Sequence, residues 1–289
     1  MFPVLPVTAS QVKSSNPDTV QLWKAMPGRH RGETVSVSAN LMNELNISQS
    51  VIDVVKERLS SGTGNQKTDF MLTQGQSYQR TIAARHVRDV DFRGDNQAIV
   101  KSALAAQAGN CSEHSALAMA YLSDMGLDRP IFTLAAANHP DHQLNVIGDL
   151  REPRKAVIVD SWPVFARAHL ADNAALRPDP SRVLDVHYPG SPPKMDLGDC
   201  GDVEPLSNAR VAHINQQRQT PSFDQTLANP SLVRLEGQTH SIRNLGVRYQ
   251  NQEKAEDVLE NTAERTEYEY QAEGMRQAQR YFPDTGGNA

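Results

Sequence analysis

Between Asn40 and Leu59, apolar side chains fall at Leu41, Leu45, Ile47, Val51, Val54, Val55 and Leu59. Steps of three and four predict a helix with one apolar face. The polar, glycine-bearing run SSGTGNQ (60–66) ends it. YQRTIAARHVRDV (78–90) predicts a second helix, and Asn96 to Gln107 a third, through Ile99, Val100, Leu104 and Ala105. Gly109-Asn110 breaks that pattern. The run CSEHSALAMAYL then opens a helix over about 111–125, whose wide apolar face is Ala116, Leu117, Met119, Ala120 and Leu122. Small residues (Ser112, Ser115, Ala116, Ala118, Ala120) let it lie deep, and Gly126 is placed to stop it.

The period then changes. PIFTLAAA (130–137), QLNVIGDL (143–150) and KAVIVDSW (155–162) predict strands, separated by the short polar segments NHPDH and REPR. Helices followed by an antiparallel meander define an α+β class. Residues 1–20 carry no period, so 1–35 is expected to be a flexible leader. The span 172–232 is punctuated by prolines and reads as a long irregular loop. It falls within a domain expected over 36–240. Residues 251–281, with eight acidic and four basic side chains, predict an exposed helix within a C-terminal helical arm, 241–289, that offers a surface to a partner.

Composition narrows the reading. The net charge of −5 gives no electrostatic footprint for nucleic acid. Aromatic residues are 6% of the chain, which points to sizeable stretches outside the core. No apolar run approaches a membrane span, and MFPVLPVTASQVKSS lacks the basic and apolar regions of a secretory signal peptide. Two cysteines, Cys111 and Cys200, do not make a disulfide framework and fit a reducing compartment. Cys200, in LGDCGD, reads as a loop thiol.

Cys111 admits three readings: a small core residue, a metal ligand or a nucleophile. Cys111-x2-His114 and His139-x2-His142 have the pair spacing of a zinc site, although Cys111 and His114 fall on a helix rather than a knuckle turn. A nucleophilic thiol needs a helix N-terminus or a neighbouring imidazolium to favour its ionised form. The break before Cys111 supplies the first, and Gly109 leaves room for a substrate backbone. His142, at the start of the second strand, supplies the second. Asp160, at the end of the third, can hold that imidazole in one tautomer. If the two strands pair through REPR, the start of one lies beside the end of the next. Three-part logic favours the nucleophile and requires no cofactor or metal. His114, on the same helix as Cys111, is expected to pack or bond locally rather than across a cleft, and Glu113 to be exposed or paired. Asp141 and Asn145 sit near His142, placed to tune it or to bind, and the polarity of a strand edge accounts for them as well. His169, His187, His213 and His240 receive no role.

The order GNCSEH (109–114), DHQLNVIGD (141–149) and VIVDSW (157–162) resembles the papain-like and transglutaminase-like cysteine enzymes. Within them it is most similar to the Cys-His-Asp effectors of the AvrPphE/HopX kind that bacteria inject into host cells. The resemblance implies a papain-like core, with the nucleophile helix on an antiparallel sheet and extra helices at both ends. It implies Cys111 as nucleophile, His142 as base then acid, Asp160 as orienting carboxylate and Trp162 as a shielding wall. The expected oxyanion donors are the Cys111 backbone N–H, with Gln107 or Asn110 second. Gln107 stands four residues before the cysteine, where papain-like members carry a glutamine about six before. The implied activity is cleavage or deamidation of protein amide bonds, with transglutamination a third outcome. The implied substrate is a host protein, reached by secretion without a signal peptide; a bacterial cytoplasmic enzyme explains the free thiols equally. A non-catalytic scaffold that binds a partner is the alternative from another class.

Overall fold

The computed structural model describes residues 18–139, 141–198 and 203–283. The expectations for residues 1–17 and for Cys200 lie outside them. The predicted helices form as α2 (Ala39–Arg58), α4 (Gln76–Val90), α5 (Ala98–Ala106) and α6 (Cys111–Asp124). The Ser38 side chain accepts from the Leu41 N–H to start α2. Gly126, in the left-handed region at φ +62°, follows the end of α6. The predicted strands form as β3 (Ile131–Ala136), β4 (Gln143–Ile147) and β5 (Val157–Val159).

These strands are the centre of a five-stranded antiparallel sheet, in the order β6-β5-β4-β3-β7, with β6 at His169–Leu170 and β7 at Pro178–His187. Alternation along the strands separates its faces. Ile131, Ile147, Val157 and Val159 point to one core with Leu45, Ile52, Leu117 and Leu122, which mounts α2 and α6 on the sheet. Leu134, Leu144, Val146 and Ile158 point to a second core that contains Trp162 and Cys111. The body of α6 thus lies over one face while its first residue reaches the core of the other. The molecule is α+β with antiparallel strands dominant, as expected.

Three parts of the expected division are corrected. The leader 1–35 is not wholly unstructured: β1 (Thr19–Gln21), α1 (Leu22–Ala25) and β2 (Glu33–Val37) lie before or across its expected end. Among its described residues the span 172–232 holds β7 and the helices α7 (Asn208–Gln217) and α8 (Phe223–Ala228). Prolines masked β7 because they argue against a central strand, but Pro178 and Pro180 stand on an edge strand, where a missing N–H is tolerated. The arm 241–289 begins as β8 (Val247–Asn251), β9 (Val258–Glu260) and β10 (Thr262–Glu264), and only then becomes helix α9 (Arg265–Tyr281), so the predicted helix over 251–281 starts fourteen residues late.

Those strands tie the two ends together. β2 pairs parallel with β8, β9 pairs with β8, and β1 pairs with β10. A short helix, α3 (Lys67–Leu72), follows the 60–66 turn and carries Phe70 and Met71 into a small core shared with Ala278 of α9. Among the described residues no helix is long and apolar enough to cross a membrane.

Candidate active site

Cys111 is the first helical residue of α6, so its backbone N–H has no acceptor within the helix. Asn110 precedes it as N-cap, and the Glu113 carboxylate accepts from the Asn110 N–H at 2.8 Å and from the Ser112 hydroxyl at 3.0 Å. Glu113 is therefore not exposed; it is buried and paired, with Arg85 at 3.8 Å. The space at Gly109 serves this cap rather than a substrate. A Cβ there would lie 2.4 Å from the Glu113 Cβ. The Gly109 carbonyl also accepts from the Gly64 N–H at 3.1 Å, which joins the start of α6 to the 60–66 turn.

His142 and Asp160 meet as the strand pairing predicts. β4 and β5 pair with Asn145 opposite Val159, so the residues before β4 lie beside those after β5. His142 Nε2 lies 2.8 Å from Asp160 Oδ2, with both side chains 1% exposed. Asp160 Oδ1 accepts from the Trp162 N–H at 3.2 Å, which fixes the carboxylate from its other side. Burial pushes the His142 imidazole down, but the charge and hydrogen bond of Asp160, followed by Cys111, more than offset this and raise it to about 10. Nε2 is spent on Asp160, so Nδ1 is the nitrogen left to face Cys111. Nδ1 is buried and, among the described residues, makes no hydrogen bond. The Cys111 Sγ instead donates to the Asp141 carbonyl at 3.3 Å, one residue before His142.

Trp162 stands against the imidazole, with ring centroids 4.7 Å apart, and its Nε1–H donates to Asn65 Oδ1 at 2.9 Å. Gln107 ends α5 in the left-handed region, at φ +55°. Its carbonyl accepts from the Ser61 N–H, and its side-chain amide makes no hydrogen bond among the described residues. Cys111, His142, Asp160 and Trp162 are thus brought together, with Asn110 adjacent, while among the described residues no hydrogen bond joins Gln107 to them.

His114 is buried but does not bond locally: its two partners come from other segments, 47 and 51 positions away. Its Nδ1 lies 3.1 Å from the Ser161 hydroxyl and its Nε2 3.2 Å from the Thr63 hydroxyl. Burial first, then the nearby Lys56 and His142 charges, hold it well below the usual histidine range, so it is neutral. With both ring nitrogens committed, it has no lone pair free for zinc. Among the described residues no three His, Cys, Asp or Glu side chains converge as metal ligands would. Asn145 is buried in β4 and donates to the Thr133 hydroxyl at 2.9 Å. Asp141 points outward to Arg234 at 2.6 Å.

Sequence reasoning missed the 60–66 turn as part of the site. Thr63 bonds His114 and also donates to the Trp162 carbonyl at 3.2 Å, and Asn65 holds the Trp162 ring. Asn65 and Trp162 are 97 positions apart, and a glycine-bearing polar run signals only that a helix has ended. Comparison with protein-family models, curated proteins and solved structures gives no match to this chain.

Proposed function

We propose that this protein is a cysteine-dependent enzyme that acts on protein amide bonds through a thioester, built on a papain-like or transglutaminase-like core. One observation carries the reading: a buried His142–Asp160 hydrogen bond of 2.8 Å that leaves the other imidazole nitrogen for a cysteine at a helix N-terminus. A buried charged pair of this kind costs desolvation and is weak evidence for stability alone. Its arrangement beside a thiol is the arrangement that nucleophilic catalysis requires.

In the proposed reaction, His142 Nδ1 already holds the proton given up by Cys111, and Sγ attacks the amide carbon as a thiolate. The Cys111 backbone N–H is the donor placed for the developing oxyanion. His142 then protonates the leaving amine, the C–N bond breaks and the thioester remains. Asp160 holds the imidazolium throughout. Water, deprotonated by His142, releases the acid and frees Cys111. A peptide bond so treated is cleaved, and a glutamine side chain is deamidated. Delivery of the amide-hydrolysing activity into a host cell, without a signal peptide, belongs to the same proposal and rests on the resemblance of the three motifs.

Candidate host proteins incubated with wild type and with Cys111→Ala, followed by intact-mass measurement, test the reading. Fragments mean proteolysis, and a gain of about one mass unit means deamidation, each present only with wild type. Identical spectra from the two proteins across active preparations would overturn it in favour of a binding scaffold.

A further inference from the structure

The reacting pair is covered. Cys111 is 9% exposed and His142 1%. Two surface cavities lie elsewhere, one walled by Trp23 and Arg248, the other by Leu41 and Arg129. Across the site runs the chain's own segment Val233–Gln238. On one side it pairs with the turn before α3: the Glu236 N–H donates to the Asn65 carbonyl at 2.6 Å, and the Lys67 N–H donates to the Glu236 carbonyl at 2.9 Å. That turn also fixes Trp162 and the start of α6. On the other side, Glu236 Oε2 lies 3.6 Å from His139 Nε2, and the His139 ring stands 5.9 Å from His142. Arg234 closes the arrangement, 2.6 Å from Asp141 Oδ2 and 3.1 Å from Glu236 Oε1.

We propose that the groove between the Asn65–Lys67 backbone and His139 is a binding site for an extended polypeptide bearing an acidic side chain, filled here by Val233–Gln238 as an internal occupant. This rests on the amide-bond reading and names the substrate's shape and the regulation of the same site. Main-chain hydrogen bonds to one residue of an extended segment are transferable to another, because they read backbone rather than side chain. The acidic preference comes from His139, which meets Glu236 now. A further group asks for a partner: Gln66 is 0% exposed and its amide donates to the Gln238 carbonyl at 2.9 Å, yet among the described residues its buried Oε1 has no donor. An incoming strand with an N–H at that place satisfies it. The latch is weak. Arg234 and Asp141 are 72% and 68% exposed, and such pairs hold little against solvent.

The test uses the full chain and reads access to Sγ by iodoacetamide labelling of Cys111, mapped by peptide mass. Arg234→Ala, an exposed change, is expected to label roughly fivefold faster than wild type, as loss of a marginal latch implies. A synthetic peptide SLVRLEGQTH, the sequence of residues 231–240, is expected to slow labelling of Arg234→Ala; the same peptide with Glu236→Lys is not. Equal labelling of Arg234→Ala and wild type overturns the internal occupant, and protection by neither peptide, or by both equally, overturns the acidic groove. Labelling reports access whether or not Cys111 turns over a substrate, so the catalytic reading stands or falls separately with Cys111→Ala.

Discussion

Asp160 carries the largest share of what can be tested at single residues. Its two oxygens hold His142 Nε2 and the Trp162 N–H, and removing one partner of a buried charged pair leaves the other uncompensated. Asp160→Ala is expected to lower stability by about 3–5 kcal/mol in a denaturant titration. Asp160→Asn keeps the shape but not the charge; it is expected to leave the fold intact and lower turnover by roughly 10²–10⁴-fold, because the imidazolium loses its carboxylate. Wild-type turnover in a folded Asp160→Asn protein would remove the orienting role. Cys111, His142 and Asp160 were legible because each stands at the beginning or end of a predicted element, where local patterns mark position well. Gly109 was misread, and Glu113 was left open between exposed and paired, because a sequence shows neither which way a carboxylate turns nor that the space beside a glycine is filled by its own helix cap.

At the scale of elements, the parallel pairing of β2 with β8 depends on a close approach at Gly246. A Cβ there would lie 2.0 Å from the Arg31 carbonyl oxygen, which is backbone and cannot swing aside. The Glu33 N–H donates to the Gly246 carbonyl at 2.9 Å at the same place. Gly246→Ala is expected to cost about 1–3 kcal/mol or to unpair β2, read as a lowered denaturant midpoint with faster amide exchange over Glu33–Val37. An unchanged midpoint would mean that the two segments separate without penalty. The antiparallel meander was predictable because its strands are joined by short connections and carry their own two-residue period. β2 and β8 were not, since their partners are more than two hundred positions apart and each strand alone is short and half polar.

For the whole molecule, buried histidines set the response to pH. Burial lowers His169 to about 4 and leads the causes that lower His240 to about 4, and it also holds His114 and His187 down. These groups bind protons more readily unfolded than folded, so their cost appears as pH falls below about 6.5 and grows toward 4. For His169, fully buried, it is on the order of 3 kcal/mol at the acid end. His142 acts in the other direction. Its folded value near 10 lies above its ordinary 6.5, so the stability it contributes is complete below about 6.5 and is lost as pH rises toward 10. Melting temperature against pH is expected to peak near neutrality and fall on both sides; His169→Gln flattens the acid limb, and His142→Gln the alkaline limb. A monotonic profile would contradict this assignment. Because β1 and β2 pair with β10 and β8, a chain cut to 36–240 loses β1, β8, β9, β10 and all but Ser36 and Val37 of β2, and is not expected to fold cooperatively.

The amino-acid order alone determined the helices around α6, the three central strands, the α+β class and the residues that chemistry would need at Cys111, His142 and Asp160. All of these rest on periodicity, breakers and short connections, which act over one or two turns of chain. Only the tertiary structure decided that β8, β9 and β10 precede α9, that the N- and C-terminal segments share sheets, and that Asn65 and Glu236 frame the site. Apart from the local pairing of β8 with β9, those choices depend on which half-polar backbone edges find partners far along the chain, and a pairing across that distance leaves no period within either segment.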